Sequence, residues 1–164
     1  MSEAETESEQ LAVRVGEILK ARHLTLSVAE SCTGGLLGDM ITDIPGSSDY
    51  FVGGVVAYSY EAKELLLNVR HETLFEFGAV SRETALEMAR GARRAFRVDL
   101  ALSITGIAGP GGGMPGKPVG LVYIALVGQG GERCERYVWD SDRRGNKQLS
   151  ALAALRMLQE LLTA

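Results

Sequence analysis

Short runs of β-forming apolar residues alternate here with longer segments whose apolar residues recur every three or four positions. This alternation narrows the fold more than any other feature of the chain. EQLAVRVGEILKARH, residues 9–23, places Leu11, Val15, Ile18 and Leu19 on one helical face. LTLSVAE (24–30) reads as the first strand, and CTGGLLGDMITDI (32–44) as a helix starting close to Thr33. IPGSSD is a turn, and YFVGGVVAYSY (50–60) is a buried strand with a glycine pair inside it. EAKELLLNV follows as a short helix, and SRETALEMARGARRAFR (81–97) as a strong one, with Ser81 as N-cap and Glu83 in its first turn. VDLALSIT (98–105) is a third strand, running into GIAGPGGGMPGKP (106–118), whose glycines and prolines exclude regular structure. VGLVYIALV and ERCERYVWD form a hairpin across GQGG, and a last helix spans about Asn146 to Leu162.

Strands that alternate with helices and end in a hairpin predict an α/β protein, a three-layer α/β/α sandwich with a mixed, largely parallel sheet. No repeat or linker divides the chain, so residues 9–164 read as one domain behind a disordered acidic tail over residues 1–8. At 164 residues and 46% hydrophobic content, a substantial core is available.

Several function classes are disfavoured at this level. MSEAETESEQ has neither the basic nor the apolar region of a signal peptide, and YFVGGVVAY is far short of the ~20 apolar residues of a spanning helix. A cytoplasmic protein without a membrane partner is expected. With a net charge of −4, a pI near 5.3 and no dense basic stretch, nucleic acid is not an expected partner. Cys32 and Cys134 make no disulfide framework, and His23 and His71 share no HxxxH or HExxH spacing, so no metal site is expected.

The chemistry concentrates in VAESCTGGLLGDM, residues 28–40, where Ser31 and Cys32 stand side by side at a strand-to-helix junction. Such junctions are the usual location of a site in an α/β protein. A serine nucleophile needs a base, and a thiol needs a base or a lowered pKa. His23 ends the first helix, at the face opposite Ser31, and His71 lies in the polar connector NVRHET, so a Ser-His-Asp triad is weak. Lys63 follows the strand YFVGGVVAY where it turns into a helix; if that strand runs parallel to the first, its end lies beside Ser31. A lysine partly buried there would have a depressed pKa and could accept a proton, whereas a solvated lysine on an exposed helix would not. Tyr58 either orients it, hydrogen-bonds the substrate, or is a core tyrosine with its hydroxyl at the rim. Cys32 is either activated by a helix N-terminus or packed behind the site.

The glycine loop partly matches a phosphate-binding motif at Gly111, Gly116 and Lys117, but Pro118 replaces the Ser or Thr that would hold magnesium, and a strand follows instead of a helix. An ATPase is therefore disfavoured. ITGIAGP can still bring backbone N–H groups close to an anionic ligand.

VAESCTGGLL, GGVVAYSYEAK, GAVSRETALEMARGAR and ALSITGIAGPGGGMPGKPVGLVYIAL occur in this order. Together they resemble the C-terminal domain of the competence/damage-inducible protein family CinA, also found as a stand-alone nicotinamide-nucleotide amidohydrolase. The resemblance covers roughly residues 9–163. It implies deamidation of nicotinamide mononucleotide to nicotinate mononucleotide and ammonia, in pyridine nucleotide recycling, by a Ser/Lys mechanism without metal or cofactor. Carried over, Ser31 is the nucleophile, Lys63 its general base, and Tyr58 supports them. Backbone N–H groups around Thr33, Gly34 and Gly35 would hold the oxyanion. The phosphate would fall to the Thr105–Gly106 backbone, the glycine loop or Arg143. Family members commonly read Gly-Asp-Arg before the last helix, whereas this chain has Ser141-Asp142-Arg143, which keeps the aspartate and the arginine and lacks the glycine. Longer relatives carry an additional N-terminal domain of molybdopterin-binding type, for which these 164 residues have no room. The resemblance and the apolar, glycine-containing strand lead us to expect a homodimer. The alternative reading is a non-catalytic nucleotide-binding or interaction module.

Overall fold

The computed structural model describes residues 3–164, with side chains from Thr6 onward. In chain order its elements are α1 (Glu3–Ala21), β1 (Leu26–Glu30), α2 (Leu36–Thr42), a 3₁₀ turn (Ser47–Asp49), β2 (Phe51–Val56), α3 (Tyr60–Leu67), α4 (His71–Phe77), α5 (Arg82–Phe96), β3 (Leu100–Gly106), β4 (Leu121–Gly128), β5 (Gly131–Val138) and α6 (Arg143–Thr163). One sheet runs in the order β2-β1-β3-β4-β5. Its first three strands are parallel, and β4 and β5 are antiparallel additions.

The two faces of the sheet differ in side-chain size. On one, Leu26 and Val28 of β1, Leu100, Leu102 and Ile104 of β3, and Val122, Ile124 and Leu126 of β4 meet the apolar stripes of α1, α2 and α6. Strand pleating sends the intervening residues to the other face, where Ala29, Ala101 and Ala125 are small. There α5 settles closely with Ala85, Ala89 and Ala92, and α3 and α4 pack beside it through Leu67 and Leu74. Gly91 makes that approach possible: a Cβ built on it would stand 1.9 Å from Leu67 O. The result is the expected three-layer α/β/α sandwich with a mixed sheet.

Several boundaries differ from the sequence expectation for identifiable reasons. Met1 and Ser2 of the expected tail lie outside the described residues, and residues 3–8 belong to α1. Glu7 pairs with Arg156 of α6, which ties this first part of the helix down. Helix α2 starts at Leu36 because Gly34 (φ 64°) and Gly35 (φ 104°) are left-handed and cannot continue it backwards. Helix α6 starts at Arg143, where Asp142 caps it by accepting from Gly145 N–H at 2.7 Å. Part of the connector read around His71 is helical, as α4. Ser81 caps α5 as expected, accepting from Thr84 N–H at 3.1 Å.

Candidate active site

From β1 the chain goes to β2 on one side and later returns to β3 on the other, so the gap between β1 and β3 is a topological switch point. In open α/β sheets the crevice at the carboxyl ends of such strands is where ligands bind. Here a cavity of about 320 Å³ opens there, lined among others by Ser31, Cys32, Tyr58, Lys63, Thr105, Gly106 and Arg143. That size is at the lower end of small-molecule sites.

Ser31 is the first residue beyond β1, fixed by its backbone N–H donating to Ile104 O at 2.9 Å. Lys63 comes from the neighbouring strand. After β2 ends, Ala57 N–H donates to Glu30 O at 2.9 Å, and Ser59 caps α3 by accepting from Ala62 N–H at 3.0 Å. The first turn of α3 then delivers Lys63 to the end of β1. Its side chain is 0% exposed, and Nζ donates to Ser31 Oγ at 2.9 Å, Ala57 O at 2.9 Å and Tyr58 O at 3.1 Å. No carboxylate pairs with it among the described residues. Burial without a counter-charge lowers its pKa from 10.5 to about 8, so the neutral amine is accessible near physiological pH.

Cys32 also lines the cavity, but burial pushes its thiol up to about 12. A thiolate is therefore disfavoured where the alkoxide has a base at hand. Neither histidine reaches the cavity: His71 pairs with Glu64 at 2.9 Å on the α3–α4 surface, and His23 stands at the end of α1. Lys117 donates to Phe77 O and does not line the cavity, in keeping with the failed phosphate-loop match.

Thr33, Gly34 and Gly35 do not line the cavity. The N-terminal amides of α2 are already taken: the Glu30 carboxylate, 1% exposed, accepts from Leu37 N–H at 2.9 Å and Gly38 N–H at 3.0 Å. A different backbone group is better placed. Along β3 the N–H groups alternate in direction, with Leu100 donating to Thr25 O on the β1 side and Ile107 to Leu121 O on the β4 side. Gly106 is in phase with Leu100, so its N–H faces the β1 side, where β1 has ended and Ser31 stands. The carbonyl in register, that of Ser31, accepts from Gly34 N–H instead, at 3.1 Å.

Also lining the cavity, the Arg143 guanidinium donates to Gly109 O at 2.7 Å and to the Tyr58 hydroxyl at 3.2 Å. Tyr58 is 61% exposed, a rim residue of the cavity and not a core one. Thr105 is 1% exposed and donates to Ala79 O at 2.7 Å, so its hydroxyl braces the wall. Sequence reasoning missed two polar residues that shape the site, Glu30 and Asn146. Asn146 is 1% exposed and donates from Nδ2 to Ala108 O at 3.0 Å, a pairing no sequence spacing signals. A larger groove, about 570 Å³, runs between α1, α2 and α6 past Ser8, Glu9, Asp39 and Asp43, and is lined by neither Ser31 nor Lys63.

Known proteins share this fold. A profile of the CinA C-terminal domain matches residues 8–162. A CinA-like protein of Trichormus variabilis is 52% identical over 157 residues, 94% of this chain and 38% of its own length. A CinA-like protein of Syntrophomonas wolfei is 54% identical over 137 residues, 84% of this chain and 33% of its own. The chain thus spans about a third of the length of these relatives. Among solved structures, the competence/damage inducible protein CihA from Agrobacterium tumefaciens superposes with a TM-score of 0.90 at 42% identity, covering 96% of both chains. The competence damage-inducible protein A from Klebsiella pneumoniae gives 0.93 at 35% identity, covering 95% of this chain and 97% of its own. On its sequence and its fold, the chain belongs to the CinA C-terminal domain family.

Proposed function

We propose that the chain hydrolyses the carboxamide of nicotinamide mononucleotide, giving nicotinate mononucleotide and ammonia. The observation that carries this reading is the buried contact between Lys63 Nζ and Ser31 Oγ, 2.9 Å long, at the floor of the switch-point cavity. With the amine neutral, the same contact runs from the serine hydroxyl to the nitrogen lone pair. Ser31 Oγ attacks the carboxamide carbon as its proton passes to Lys63. The ammonium then returns a proton to the departing nitrogen, which leaves as ammonia and a nicotinoyl ester on Ser31. A water, deprotonated by the same lysine, attacks the ester; the lysine returns that proton to Ser31 Oγ as the acid leaves, and the acid gives its own proton to solvent to become the carboxylate.

The developing oxyanion needs a preorganised donor, and the Gly106 N–H on the Ser31 side of β3 supplies one. This reassigns to Gly106 the role expected at Thr33, Gly34 and Gly35. Arg143 and the glycine loop take the phosphate, while Tyr58 stands between the two groups, its hydroxyl accepting from Arg143 and its carbonyl from Lys63.

The test is product analysis with the purified chain and nicotinamide mononucleotide. One ammonia released per nicotinate mononucleotide formed, and none from the Lys63→Met variant, is the expected result. Wild-type protein that binds the nucleotide but releases no ammonia would leave the alternative reading, a binding module.

A further inference from the structure

Asn146 sits in the first turn of α6, buried behind the glycine loop and outside the cavity lining. Both ends of its amide are engaged. Oδ1 accepts from Ser141 N–H at 3.1 Å, and Nδ2 donates to Ala108 O at 3.0 Å, so the network fixes which end is which. The residue itself is anchored on both sides: its N–H donates to Asp142 O at 2.8 Å, and its carbonyl accepts from Ser150 Oγ at 2.7 Å. Ser150 in turn accepts from the Trp139 indole at 2.9 Å.

Ala108 and Gly109 line the cavity while Asn146 lies behind them, so the Ala108 carbonyl points away from the cavity. In a trans peptide the N–H points opposite to the carbonyl. The Gly109 N–H therefore faces the cavity. The next carbonyl, that of Gly109, is drawn to the Arg143 guanidinium at 2.7 Å. A guanidinium has five N–H donors, and Arg143 uses two of them on Gly109 and Tyr58. Outward-facing backbone N–H and spare guanidinium donors converge where Gly109 and Arg143 line the cavity, an arrangement suited to a phosphate group.

We infer that Asn146 is a positioning residue for phosphate recognition: it holds the Ala108–Gly109 peptide with its N–H turned toward the substrate's phosphate. The inference rests on the proposed nucleotide substrate, whose carboxamide occupies the Ser31 end. Asn146 touches no substrate atom and acts through the peptide it orients. Without it the peptide can rotate, and the phosphate loses one charge-assisted donor, while Ser31, Lys63 and the Gly106 N–H stay in place.

The experiment measures two quantities in wild type, Asn146→Ala and Asn146→Ser, after thermal unfolding shows all three folded. One is the affinity for ribose 5-phosphate by calorimetry, which needs no turnover. The other is kcat and KM for nicotinamide mononucleotide. Both variants should bind ribose 5-phosphate about tenfold or more weakly, the size of one hydrogen bond to a charged group. KM should rise in parallel, with kcat changed less than about threefold. Unchanged ribose 5-phosphate affinity in folded variants would overturn the inference, as would a fall in kcat at constant KM. Wild type that binds ribose 5-phosphate but releases no ammonia would sink the proposed reaction and leave the role of Asn146 decided by binding alone.

Discussion

Lys63 is where the folded state most strongly alters the chemistry of a single residue. Its pKa falls from 10.5 to about 8 because burial removes water without supplying a carboxylate. Two consequences follow, with signs that can be checked. For catalysis, the deprotonated form is the base, so kcat/KM should rise with pH through about 8 and then level off; a profile flat from pH 6.5 to 9.5 would exclude lysine as the base. For stability, the unfolded chain holds more protons than the native one between about pH 8 and 10.5, so wild type should gain stability across that window, whereas below it the buried ammonium weighs fully against folding. Denaturant unfolding should show the gain, about 3 kcal/mol, in wild type and not in Lys63→Met. Ser31 and Lys63 were legible as candidates because the sequence places each where a strand ends. Their pairing was legible only on the condition that β2 lies parallel beside β1, or through the family resemblance, since no local pattern encodes that neighbourhood.

Helix termini and helix contacts decide how accurately the site is held. The carboxylate of Glu30 receives two N–H groups of α2, and its backbone carbonyl receives Ala57, so one residue fixes the ends of β1, β2 and α2 around Ser31. Glu30→Gln should turn an amide NH₂ toward one of these donors and lower stability by about 2 kcal/mol, with kcat falling more than KM changes; unaltered unfolding would refute this role. On the other face, Gly91→Ala would force a Cβ against Leu67 O and push α5 from α3, the helix that carries Lys63. A loss of about 2 kcal/mol or more is expected from overpacking, together with reduced turnover. Sequence periodicity recovered α5 and the hairpin because their local signals agree with their environments. It missed α4, a seven-residue helix whose Phe75 is 71% exposed and Phe77 39% exposed, since so short and poorly buried a segment has no clear amphipathic stripe. It extended α2 backwards through Gly34 and Gly35, whose left-handed backbone is set by the sharp exit from β1. Asn146 escaped because its partners, Ala108 and Ser141, are brought to it by the tertiary fold alone.

At the scale of the whole molecule, the topology makes the site and leaves an edge. The switch between β1 and β3 opens the cavity, and β2 is left as the outer strand of the sheet, with Val52 52% exposed and Val56 50% exposed. An apolar edge strand is a liability unless another surface covers it. This supports the expected homodimer, and sedimentation velocity should give a dimer mass for wild type and a monomer for Val56→Lys; a wild-type monomer at micromolar concentration would end that expectation. At the junction of β1 and α2 two adjacent nucleophiles compete, and burial favours one. The most direct measurement is ammonia release from nicotinamide mononucleotide by wild type, Ser31→Ala and Cys32→Ala at pH 8.5. Ser31→Ala should lose activity by about a thousandfold or more while Cys32→Ala keeps most of it. Activity retained in Ser31→Ala, or lost only in Cys32→Ala, would contradict it.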